Sequence, residues 1–363
     1  MTTKTRAWFG AVLSLVLAGA CAAPSDADTS TEAVASSEQA LLDGIDPLPR
    51  ELLVALLRYD HLTEEERDRV YELHHFLRVG PDRRVHVVET FTVRSFMRWP
   101  YRGVLMLPGT LSLASFYNLD VEGYRFQDTL AREGYFAFAI DYEGSGSSTY
   151  PANGYDVTHD YLVESSRRVL QQLRLLRLVP RMDVFGESNG GSIAAELCDD
   201  RRSARSCVMA SMLYDEGTDF FNAVFLDPAF IGFLMNQPEG YLQAGPEMYF
   251  NIAARMSPEV AAEALATQPG RFAAGPTVAP VDGLPWFDPT RAQVPGLIIQ
   301  GTEDNVATQA DNDTLAAVYG SAPNGGGVAT VVRIEGAGMI PRVEPAPVNE
   351  IFTDIVLDFL ATH

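Results

Sequence analysis

Lysine is nearly absent from this sequence. Lys4 is the only one in 363 residues, and every other cation is arginine. Acidic side chains outnumber basic ones, 48 to 27, for a formal net charge of −21. A surface of that sign repels phosphate backbones and anionic lipid head groups, so nucleic acid is not expected as a partner. Its plain role is to keep a chain soluble. Cysteine is scarce as well: Cys21, Cys198 and Cys207. No histidine stands near the last two at ligand spacing, so neither a metal nor a cofactor is expected. Apolar residues are not scarce. They make up 47% of the chain, enough for a full core and too many for disorder.

The first residues read as an export signal. Lys4 and Arg6 are its positive start, and Ala7 to Leu17 is its apolar centre, too short to span a bilayer as a helix. Leu17-Ala18-Gly19-Ala20-Cys21 is similar to a bacterial lipobox, with the large aliphatic residue one position early. Ala18-x-Ala20 also satisfies an ordinary signal-peptidase site. Residues 1–21 are therefore expected to direct export, either as a lipoprotein attached to a membrane through lipidated Cys21 or as a secreted chain. Residues 22–42, rich in Ala, Ser, Thr, Asp and Glu, read as a flexible tether. In an oxidising compartment Cys198 and Cys207 could pair, or they could be two buried thiols.

Residues 43–82 read as a helical extension. Pro49 to Arg58 and Thr63 to Leu77 carry helical patterns, the second opened by the capping box Thr63-x-x-Glu66. His74 and His75 fall in that second helix. Strand patterns begin at Arg83. Val85 to Val93 alternates, and Gly103 to Leu107 is a continuous apolar run, as a strand covered on both faces requires. Helices are expected at Phe126–Glu133 and Val157–Leu178, with strands at Tyr135–Ile140, Met182–Phe185 and Cys207–Leu213. The alternation pauses over 214–293, a stretch with Pro, Gly and many aromatics. It resumes at Leu297–Gly301, then Asp311–Tyr319, Val328–Ile334 and Val348–Leu360. Strand–helix alternation of this kind implies a mostly parallel sheet with helices on both faces.

Arg181 to Cys198 is the chemically informative stretch. An apolar strand ends in Gly186-Glu187-Ser188-Asn189-Gly190, and a helix pattern follows. G-x-S-x-G between strand and helix is a nucleophile elbow. Its glycines allow strand and helix to pack, the serine stands above the sheet, and the helix N-terminus faces the same spot.

With these landmarks in order, residues 83–361 resemble the α/β-hydrolase superfamily. The resemblance implies an α/β-hydrolase fold: an eight-stranded, mostly parallel sheet over 83–213 and 294–363, with a helical cap at 214–293. Leu107-Pro108-Gly109-Thr110 stands at the family's oxyanion loop. Asp141 to Ser148 is similar to its D-x-x-G-x-G-x-S turn. Gly301-Thr302-Glu303-Asp304 stands where the family places its triad acid. The amides of Asn189 and Thr110 are then the oxyanion hole, with Leu111 the alternative second donor and Asp215 an alternative acid. The closing landmark departs. Glu335-Gly336-Ala337-Gly338-Met339 puts a methionine at the catalytic histidine's position.

A thioether has no proton to give and accepts only weakly, so Met339 cannot serve as general base. His159, at a helix start, is the alternative base. Asp304 loses the imidazole it would hold, and Arg342 is one conceivable partner for it. Two functions remain open. One is an exported serine hydrolase acting on a small carboxylic ester or related acyl substrate through an acyl-enzyme on Ser188. The other is an inactive member of the fold that binds a ligand or partner. The cap aromatics, among them Phe220, Phe221, Phe225, Phe230 and Phe233, either pack the cap or line an apolar pocket.

Overall fold

The computed structural model describes residues 44–363 except 246–247, 249–253, 279–283 and 286. The expected signal, the tether and Cys21 lie outside the described residues. No helix among the described residues is long and apolar enough to cross a membrane.

The chain enters through helix α1 (Arg50–Leu57) and the short helix α2 (Glu64–Asp68). The capping box at α2 forms as the sequence indicates, with Thr63 and Glu66 bonded in both directions. The helix then stops. Residues expected to continue it form strand β1 (Tyr71–Gly80), which pairs antiparallel with β2 (Arg83–Phe91). The reason is a period of two: Leu73, His75, Leu77 and Val79 all point into the core. His74 and His75 are therefore strand residues on opposite faces. His75 is fully buried, donating from Nε2 to Glu89 (2.8 Å) while its Nδ1 accepts from the Asp46 amide (3.1 Å). Arg177 completes that buried cluster with two bonds of 2.6 Å to Glu89.

The remaining strands are β3 (Gly103–Leu107), β4 (Phe136–Asp141), β5 (Met182–Glu187), β6 (Ala204–Ala210), β7 (Tyr241–Ala244), β8 (Gly270–Ala273), β9 (Gly296–Gly301) and β10 (Ala329–Ile334). Eight of the ten form one sheet in the order β1-β2-β4-β3-β5-β6-β9-β10. Only the β1–β2 and β2–β4 pairs are antiparallel. The expected eight-stranded, mostly parallel sheet of an α/β hydrolase is what the chain builds. Crossover helices follow the strands: α3 (Val93–Met97), α4 (Phe126–Arg132), α5 (His159–Leu176) and α6 (Asn189–Leu197). The central strands bury both faces. Val104, Met106, Phe185, Val208 and Ile299 pack with Phe126 and Leu130 of α4 and with Phe352 and Val356 of the last helix.

The insertion between β6 and β9 carries α7 (Asp219–Phe225), α8 (Pro228–Met235), α9 (Pro258–Thr267) and α10 (Gly275–Val278). It is not purely helical, because β7 and β8 pair antiparallel within it. The chain closes with α11 (Gln309–Val318) and α12 (Val348–Thr362). Cys198 and Cys207 are buried free thiols, the second of the two alternatives left open by the sequence.

Candidate functional site

Parallel strands all end on the same edge, so the β3, β5, β6, β9 and β10 loops meet there. Ser188 follows β5 directly. Its backbone sits at φ 53°, ψ −126°, a left-handed conformation that L residues rarely adopt. Two bonds hold that turn: Ser188 N to Ala210 O and Gly191 N to Ser188 O, both 2.8 Å. The glycines are sterically required. A Cβ on Gly186 would stand 2.1 Å from Gly190 O, and one on Gly190 would stand 2.0 Å from Leu107 O. Asn189 opens α6, so its amide lies outside the intrahelical ladder.

The loop of Leu107 to Thr110 runs against this turn. A Cβ on Gly109 would be 3.0 Å from Ser188 Cβ. Leu111 also has a left-handed backbone, φ 62°. Thr110, Leu111 and Asn189 together line a cavity of about 30 Å³. The cap closes it with Phe272 and Ala273. Tyr117 braces the loop from behind by donating its hydroxyl to Leu107 O (2.6 Å).

Asp304 and Met339 come from the adjoining loops. Glu303 N donates to Ala337 O (2.8 Å), which ties the two loops together. Gly301 is required there, since a Cβ would reach 2.2 Å from both Ala337 O and Gly338 O. The Ser211 hydroxyl donates to Met339 O, placing Met339 beside the residue that follows Ala210. Its thioether packs into two apolar clusters. One holds Leu213, Phe221, Val306 and Ala307; the other holds Phe116, Leu119, Ile340 and Val343.

The Asp304 carboxylate is engaged on one side only. Oδ1 accepts from the amides of Val306 (2.8 Å) and Ala307 (3.4 Å). Oδ2 is buried with no hydrogen bond among the described residues. Burial pushes this carboxyl up to about 6; the two amides act against that, while the charges of Asp311 and Glu344 add to it. Glu344 itself accepts from Gly338 N (2.6 Å) and pairs with Arg255 (3.2 Å).

Arg342 does not partner Asp304. It forms a bidentate pair with Glu187, 2.9 Å at each contact, and donates to Phe116 O (2.8 Å). Both side chains are 2% exposed. Glu187 is the residue before Ser188, so this ion pair fastens the Met339 loop to the elbow. Sequence reasoning missed it because its partners are 155 positions apart.

His159 is not at Ser188 either. Its Nε2 faces Glu196 Oε1 at 3.4 Å, two turns along α6 from the elbow, and its ring packs on Phe287. Neither ring nitrogen has a hydrogen bond among the described residues. The other histidines are also engaged elsewhere or exposed. His74 and His86 link to each other (2.9 Å), and His86 Nδ1 bonds Asp141 (2.8 Å). His75 bonds Glu89, His61 is exposed, and His363 packs on Phe359. Asp215 follows β6, with its side chain exposed and its amide held by Asp311 (2.6 Å). Asp311 caps three successive amides, at Tyr214, Asp215 and Glu216, a role its sequence position gave no sign of. No group of three or more potential metal ligands occurs among the described residues.

Among the described residues no histidine ring is recorded against Ser188. Comparison with known proteins agrees with the fold. A model of the alpha/beta hydrolase family matches residues 104–351. Similar solved structures include a hydrolase from Pseudomonas aeruginosa, with 18% identity, a TM-score of 0.57, and coverage of 79% of this chain and 98% of that one. A thermophilic esterase from Thermogutta terrifontis has 14% identity, a TM-score of 0.57, and coverage of 81% and 98%. The thioesterase domain from the curacin biosynthetic pathway has 14% identity, a TM-score of 0.55, and coverage of 81% and 100%. At these identities the likeness concerns the fold alone. No curated protein matches in sequence.

Proposed function

The chain belongs to the alpha/beta hydrolase family, and on that premise we propose that it is an exported serine hydrolase. It acts on a carboxylic ester or related acyl compound through an acyl-enzyme on Ser188. The observation that carries this reading is the elbow, where two glycines and a left-handed serine hold a hydroxyl beside Asn189 and the oxyanion loop. A strained turn of this kind is costly to keep, and its use is to present a nucleophile. Esterase and thioesterase chains among the structural neighbours support an acyl substrate. Export is supported by residues 4–21, and membrane attachment by Cys21.

The Ser188 oxygen attacks the carbonyl carbon, and its proton passes to solvent. The carbonyl oxygen becomes an anion held by the amides of Asn189 and Thr110, or of Asn189 and Leu111. Collapse expels the alkoxide or thiolate, and water then releases the acid. Loss of a triad member costs on the order of 10⁴–10⁶-fold in rate, so activated esters with good leaving groups are the substrates expected to react.

Met339 favours a second reading, a member of the fold that binds an acyl ligand without turnover. It cannot move a proton, and it packs, partly buried, against two apolar clusters. Labelling with a fluorophosphonate and hydrolysis of p-nitrophenyl acetate separate the two readings. Under the hydrolase reading both exceed a Ser188→Ala control, and Met339→His raises the rate at least 100-fold. Neither labelling nor turnover above the control would leave only the binding reading.

A further inference from the structure

The loop of Leu107 to Thr110 abuts Ser188 and is braced by Tyr117 on its core side. Just beyond it, three successive amides each find a partner in a different part of the fold. Ser112 N donates to Gly109 O (3.1 Å), closing a turn around Thr110 and Leu111. Leu113 N donates to Gln268 Oε1 (2.9 Å). Ala114 N donates to Asp141 Oδ1 (2.8 Å). Of these three acceptors, Gln268 is the one that the cap supplies.

Gln268 ends α9 and is fully buried. Its carboxamide is engaged at both atoms. Oε1 takes the Leu113 amide, while Nε2 donates to Ser115 Oγ (2.9 Å) and Thr267 Oγ1 (3.3 Å). A backbone N–H can only donate, so the carboxamide has one admissible orientation. Apolar contacts run beside it. Leu111, Leu113 and Leu265 pack on Ala244 and Phe272, and Val260 and Ala264 of α9 share a cluster with Phe116 and Leu119. Those contacts already seat the cap, and a leucine at 268 would add to them, so packing does not call for a carboxamide. What the carboxamide adds is direction. It pins an amide two residues beyond Leu111, whose left-handed backbone (φ 62°) depends on its neighbours to hold it. Donors to an oxyanion act through fixed placement, and a small displacement weakens them.

We propose that Gln268 is a positioning residue: from the cap, through Leu113, it sets where the Thr110 and Leu111 amides stand relative to Ser188. This deepens the hydrolase reading and rests on it for the use of those amides. The seating of the cap and the placement of the second oxyanion donor are then coupled through one side chain.

Two substitutions separate this role from plain structural support. Gln268→Leu keeps the volume and removes the bonds. Gln268→Glu keeps an oxygen for the Leu113 amide, and the Ser115 hydroxyl can turn to donate, but a carboxylate is buried. Urea denaturation should therefore rank Gln268→Glu the less stable of the two, while activity should rank them the other way. With p-nitrophenyl acetate, Gln268→Leu should lower kcat about 10- to 100-fold while KM moves less than threefold, and fluorophosphonate labelling should slow to match. Gln268→Glu should stay within about threefold of the wild type in kcat. A kcat/KM and labelling rate within twofold of the wild type for Gln268→Leu would overturn the proposal. So would activity losses ranked in the order of the stability losses. If Gln268→Glu does not fold, Gln268→Leu decides alone. If the wild type neither labels nor turns over, the Ser188 reading has failed on its own account, and hydrogen exchange then tests Gln268. Exchange over 109–112 at least tenfold faster in Gln268→Leu, with 182–187 unchanged, supports the positioning role; unchanged exchange over 109–112 overturns it.

Discussion

Replacing Asp304 with asparagine should stabilise this protein near neutral pH, an unusual expectation for a residue proposed as a triad acid. Burial sets the Asp304 carboxyl at about 6, above its ordinary 3.8. Between those values the folded chain holds a proton that the unfolded chain has released. Stability therefore falls as pH rises through that window and levels off above about pH 7. A gap of about 2 units corresponds to roughly 3 kcal/mol at pH 7.5. The carboxamide of the Asp304→Asn variant would stay neutral at every pH. It would keep an oxygen for the Val306 and Ala307 amides and leave the same unpartnered position at Oδ2, so those costs cancel. Asp304→Asn should then match the wild type closely at pH 4 and exceed it by about 3 kcal/mol at pH 7.5, or roughly 4 °C in Tm. Urea denaturation of both proteins from pH 4 to 8 measures the difference directly. Parallel curves across that range would refute the reasoning, since they would mean the carboxylate already has a partner. In a Met339→His background the advantage should shrink or reverse, because an imidazole N–H beside Oδ2 favours the charged form.

Three further substitutions test the frame of the site. Gly190→Ala should cost about 3 kcal/mol or more and abolish fluorophosphonate labelling, because the added carbon meets the fixed carbonyls of Leu107 and Pro108 at 2.0 and 2.6 Å. Gly232→Ala in α8, where nothing lies within 4 Å of the added carbon, should instead gain about 0.5–1 kcal/mol by chemical denaturation. Arg342→Met should cost about 3–5 kcal/mol by leaving Glu187 charged and buried, while the double change with Glu187→Gln should recover most of it; additive losses in that cycle would show that the two side chains act independently.

What the sequence made legible follows from how local each constraint is. The elbow glycines answer to backbone atoms a few residues away or on the next strand, so they leave a dense signature that composition alone cannot mimic. The same holds for Gly146, where a Cβ would reach 2.2 Å from Asp141 Oδ2, within the turn the D-x-x-G-x-G-x-S pattern marks. Apolar runs over 103–107, 135–140 and 297–301 gave the central strands because both their faces are covered. Residues 71–80 misled because a real capping box at Thr63 stands just before an alternating strand, and the box alone cannot say how far its helix extends. The Glu187–Arg342 pair, the Asp311 cap and the placement of His159 depend on contacts between distant elements. No window of sequence contains both partners of any of them.

Met339 and Asp304 pull stability in opposite directions. Met339 adds apolar contact on both sides and so strengthens the loop that bears it. Asp304 is left with a carboxyl that holds its proton up to about pH 6. On the proposed reading, an intact triad would keep the carboxylate charged and give the mobile proton to an imidazole, whereas the Asp304 carboxyl itself holds the proton. Below that pH the Asp304 carboxyl is neutral, and above it the group carries a charge with no hydrogen bond at Oδ2 among the described residues. A ligand bringing a positive group or a hydrogen-bond donor to Oδ2 would relieve that charge, so its affinity should rise from pH 5 to 7. A simple neutral ester gains nothing there and should bind with a flat profile over the same range. The pH dependence of ligand affinity thus reports which kind of molecule the altered site takes, independently of whether Ser188 turns it over.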